Sequence, residues 1–167
     1  MKRILITGCL IVACASVSSA QTLQDYSGSY LCKLAASAGL RLNAQSQTWN
    51  GVTFDVTNSS VLMKITNTNK TGSSQIYPEF GKYSVAFKDF GSTGKAQDCV
   101  SNYASAKFTS EVPIIEGRLE CNFFATTYRV NLQTNRIQIT FDGGYMDDWK
   151  ENQDTPYIAV GVCDKVS

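Results

Sequence analysis

Residues 118–141 alternate apolar and polar side chains, a period that puts one class on each face of an extended chain and scatters both around a helix. Leu119, Cys121 and Phe123 share one face, with Arg118, Glu120 and Asn122 on the other. Tyr128, Val130 and Leu132 then alternate with Arg129 and Asn131, and beyond Gln133-Thr134-Asn135 the series resumes with Ile137, Ile139 and Phe141 against Gln138 and Thr140. The pattern predicts three consecutive antiparallel strands, the last two forming a hairpin. Residues 61–65 and 83–87 read as further strands, 29–33 and 157–163 as the first and last, and 52–56 as an additional one. With seven or eight short strands and no run at helical period, the expected fold is all-β. A single small antiparallel barrel or a sandwich of these strands is expected. Only 35–40 (AASAGL) reads as a stretch able to coil into a helical turn, limited by Gly39.

The first twenty residues differ in kind. Lys2 and Arg3 precede an apolar run over 4–15, and Ser18-Ser19-Ala20 supplies small residues before Gln21. This predicts a secretory signal peptide over 1–20 and a single exported β domain over 21–167, periplasmic or secreted. The apolar run is about a dozen residues, short of the roughly 20 of a spanning helix, so no integral membrane segment is expected. Ile11-Val12-Ala13-Cys14 is similar to a lipobox, which makes lipid anchoring at Cys14 the alternative outcome of processing.

Four cysteines follow the signal: Cys32, Cys99, Cys121 and Cys163. An even number in an exported chain argues for two disulfides, and four cysteines permit three pairings. Cys99 with Cys121 closes a local loop, and Cys32 with Cys163 joins the first and last strands, which are neighbours in many barrels. That pairing is the favoured one. A metal site is not expected, since no Cys-x-x-Cys pair occurs.

The chain contains no His, which removes the usual general base and most zinc and haem ligand sets. Fifteen Lys plus Arg stand against fourteen Asp plus Glu, too balanced for a polyanion binder, so nucleic acid is not an expected partner. No catalytic residue, no cofactor and no enzyme activity are predicted. The densest polar cluster is the acidic loop 143–155, where Asp147 and Asp148 lie between Tyr145 and Trp149. These four are candidate binding residues, because loops on a rigid scaffold commonly carry recognition. The loop lacks the ligand spacing of a helix-loop-helix calcium site. A pair of its carboxylates supplies the further alternative of a small carboxylate-dependent hydrolase. Tyr128 reads as core, and Phe123-Phe124 places one ring on each side of a strand.

Gly28-Ser29-Tyr30-Leu31-Cys32 and the closing 155–163 segment, TPYIAVGVC, resemble small exported β-rich proteins of alphaproteobacteria. The resemblance spans the exported chain and implies compartment and fold. Phe80-Gly81-Lys82-Tyr83 and Gly94-Lys95-Ala96 are similar to segments of periplasmic inhibitors of C-type lysozyme, with the Gly-to-Tyr spacing one residue shorter. That resemblance implies that Tyr83 and Lys95 would enter a lysozyme cleft. The leading expectation is a non-catalytic exported β-barrel binding protein, a monomer or small homo-oligomer, that contacts a small apolar ligand or a protein partner. Inhibition of a lysozyme-type hydrolase is the alternative.

Overall fold

The computed structural model describes residues 23–143 and 155–167; the signal-peptide and lipobox segments lie outside them. Among the described residues ten strands form one antiparallel sheet. They are β1 (Gly28–Asn43), β2 (Thr48–Thr53), β3 (Ser60–Gly72), β4 (Phe80–Asp89), β5 (Gln97–Asp98), β6 (Val112–Ile114), β7 (Arg118–Phe123), β8 (Thr126–Asn131), β9 (Arg136–Phe141) and β10 (Tyr157–Lys165). The ladder runs β5-β4-β3-β1-β10-β9-β8-β7, with β2 added to β1 and β6 added to β4. The first and last long strands are neighbours, and the runs 61–65, 83–87, 118–123 and 137–141 are strands, whereas the strand expected over 52–56 ends at Thr53, within β2.

The sheet curls into an open barrel. Its two ends meet without a continuous ladder, crossed by the isolated bridges Val100↔Asn122 and Ile115↔Arg118. The Cys99–Cys121 disulfide spans the same seam, with its Cα atoms 5.2 Å apart. Glu116 and Gly117 both take positive φ (49° and 74°), the conformation of a two-residue hairpin turn whose twist matches its strands. Cys32 and Cys163 are bonded directly across the β1–β10 ladder. Both disulfides therefore pair as the loop lengths and strand order suggest, and they fit an oxidising compartment.

Alternation decides what fills the barrel. Met63, Ile65, Val85, Phe87, Leu119, Val130, Ile137, Ile139 and Ala159 all point inward and are buried with the four cysteines. One end is plugged by the segment leading into β1. There the Tyr26 and Tyr83 rings meet edge to face at 6.4 Å, the Tyr30 hydroxyl donates to the Tyr26 carbonyl at 2.9 Å, and the Tyr83 hydroxyl donates to the Gln24 carbonyl at 3.2 Å.

One local expectation is corrected. Residues 35–40 are not a helical turn but part of the 16-residue β1. Ladder partners on both sides impose the extended state: 36–39 pair with β10, and Ala38, Gly39 and Leu40 also pair with β2. The small side chains serve close approach. A Cβ on Gly39 would lie 2.2 Å from the Pro156 carbonyl oxygen, and one on Gly161 would lie 2.2 Å from that of Lys33. The register slips by one between Leu34 and Ala36, a bulge that bends β1. Among the described residues no helix is long and apolar enough to cross a membrane.

Candidate functional site: a cavity at the open end of the barrel

At the end opposite the tyrosine plug the described residues leave a space. Here β4 and β9 finish and β3, β8 and β10 begin, and between them lies a cavity of about 600 Å³. Its wall is built from inward positions of those strands. Ile139 and Phe141 come from β9, Ala159 and Tyr157 from β10, Tyr128 from β8, and Leu34 and Ser37 from β1. Phe54 and Val56, from the segment after β2, complete the rim.

Phe54, Phe90, Tyr128, Phe141 and Tyr157 contribute aromatic rings to this wall. Tyr157 is the hub: its ring lies 6.3 Å from Phe54, edge to face, and 5.6 Å from Phe141, its ladder partner. Arg41 is exposed and sets its guanidinium carbon 5.9 Å from the Phe54 centroid, without lining the cavity. Tyr128 belongs to the core and the cavity at once. Its ring stacks on Phe87 at 4.3 Å and meets Phe123 edge to face at 5.4 Å.

Polar groups share the lining: Ser37, Asn58, Ser59, Ser60, Asp89 and Thr155 stand among the apolar side chains. Asp89 is the one charged side chain among the described lining residues, exposed at the end of β4. It continues the inward series Tyr83, Val85, Phe87 and so faces the barrel mouth. Burial pushes the Tyr128 hydroxyl up to about 12, and the nearby Asp89 carboxylate adds to the rise. Tyr157 is raised for the same two reasons, burial first. Both phenols are therefore neutral donors at physiological pH, and neither makes a hydrogen bond within the described residues. The Ser37 hydroxyl is already engaged, donating to the Ile158 carbonyl at 3.1 Å.

A second concave surface lies outside the barrel, over β7 to β10. Arg118, Arg129 and Arg136 border it, and Val160 and Val162 form its apolar side. Arg129 is tied to Glu120 at 2.8 Å. No cluster of potential metal ligands occurs among the described residues.

The residues singled out in the sequence fall into three groups. Tyr145, Asp147, Asp148 and Trp149 lie outside the described residues; the flanking Phe141 and Thr155 both line the cavity. Lys95 is exposed in the connection between β4 and β5. Tyr83 is only 2% exposed, held in the tyrosine plug, so its ring is not available for insertion into a partner's cleft. Of the two positions offered by the lysozyme-inhibitor resemblance, only Lys95 is on the surface. Phe123 turns into the core while Phe124, at the tip of the β7–β8 hairpin, is 97% exposed.

Sequence reasoning did not single out Phe54, Asp89, Phe141 or Tyr157 as a site. One signal was present: an acid in the inward phase of an alternating strand, as Asp89 is, has a reason to be there other than packing. No family model, curated protein or solved structure matches the chain.

Proposed function

We propose that this chain is a non-catalytic exported binding protein that takes a small, largely apolar ligand into the open end of its barrel. The observation that carries this reading is the cavity of about 600 Å³, in which Phe54, Val56, Phe141 and Tyr157 share the lining with the polar Asn58, Ser59, Ser60 and Asp89. Its size falls in the range of sites for small molecules, and apolar walls with a few polar groups are the usual composition of such sites. Barrels of about this strand number hold one small ligand when side chains leave room for it. The paired cysteines support a compartment outside the reducing cytoplasm, and the sequence of 1–20 supports export to it.

Titration of the purified, oxidised protein with the neutral dye Nile red tests the proposal. Saturable fluorescence enhancement at one site is expected, weakened at least several-fold by Phe54→Ala and by Phe141→Ala. Absence of saturable binding, or binding indifferent to both substitutions, would overturn it.

A further inference from the structure

We infer that the ligand of this cavity carries a positive charge: an organic amine or ammonium group on an apolar body. The inference rests on the cavity being the binding site proposed above and adds the chemical class of its occupant.

Three observations converge on it. Asp89 supplies a carboxylate at the mouth, and no Lys or Arg is among the described lining residues to answer it. Asp89 makes no ion pair within the described residues. Tyr128 and Tyr157 lie within reach of its charge, and Phe141 and Phe54 line the same cavity; the faces of such rings attract cations. A neutral apolar occupant would leave the carboxylate to water alone. An anionic one would add repulsion. An ammonium group satisfies the carboxylate and the ring faces together, while the apolar body takes the deeper wall of Leu34, Ile139 and Ala159. Phe54 already shows such a contact in its pairing with Arg41.

Displacement of Nile red by a matched pair of competitors, phenylbutylammonium and phenylbutanol, tests the inference at neutral pH. The two share an apolar body and differ in charge. The ammonium is expected to displace dye at a concentration about tenfold below that of the alcohol. Asp89→Asn is expected to abolish that preference, and Asp89→Glu to retain part of it. Equal potency of the two competitors, or a preference that survives Asp89→Asn, would overturn the charge assignment and leave the cavity reading standing. If Nile red itself does not bind, the cavity reading fails and this inference with it.

Discussion

Phe87 on β4 and Tyr128 on β8 stack at 4.3 Å with their planes 27° apart, although no ladder joins their strands. The contact therefore crosses the barrel interior. It links the floor of the cavity to the core, with the edge of Phe123 closing on both rings. Replacing Phe87 by Ala removes the ring that Tyr128 rests on. The expected cost is about 3–5 kcal/mol, the range for deleting a buried phenyl group, read as a lower midpoint in guanidinium unfolding.

Alkali should weaken the fold through its tyrosines. Tyr128 ionises at about 12 rather than 10.0, with Tyr157, Tyr30 and Tyr83 raised as well, each mainly by burial. Above the ordinary phenol value the unfolded chain releases protons that the native state retains. Stability is then full below pH 10 and falls as pH rises toward about 12. Unfolding midpoints across that window are expected to decline, and Tyr128→Phe should flatten the slope.

The two disulfides should differ in what they hold. Chain entropy assigns about 3 kcal/mol to the 22-residue loop of Cys99–Cys121 and about 5 kcal/mol to the 131-residue loop of Cys32–Cys163. Replacing each pair with serines and measuring denaturant unfolding checks the order. Loss of Cys99–Cys121 should also speed amide exchange locally at Asn122 and Ser101, whose amides bond to the Val100 and Thr109 carbonyls near the seam.

Two glycines in strands that each pair with β1 should respond differently. Gly161→Ala forces a methyl to within 2.2 Å of the Lys33 carbonyl oxygen, so β1 and β10 must part, and a loss of about 1–3 kcal/mol is expected. At Gly51 a methyl meets nothing within 4 Å, and alanine there should be neutral or stabilise by up to about 1 kcal/mol. Thermal unfolding of the two variants, side by side, is the check.

The strands were legible in the sequence wherever one face is buried and the other wet, because that contrast writes itself as alternation; 118–141 is the plainest case. Residues 35–40 were not, since Ala, Ser and Gly carry no such contrast and the extended state there comes from two ladder partners distant in the chain. The cavity was harder still. Tyr128 was rightly assigned to the core, and its second role follows only from an unfilled space beside it. Phe54, Asp89 and Tyr157 sit in separate segments, and nothing local announces that the barrel brings them to one wall.

The covalent link between the first and last long strands has a mechanical meaning. Tension arriving from residues before Cys32 and after Cys163 passes through the sulfur–sulfur bond, bypassing all of the chain between them. Pulled by its ends, the oxidised protein should lengthen only by the short flanks, whereas the reduced one would unravel. The redox state of a single pair thus decides whether the cavity survives force.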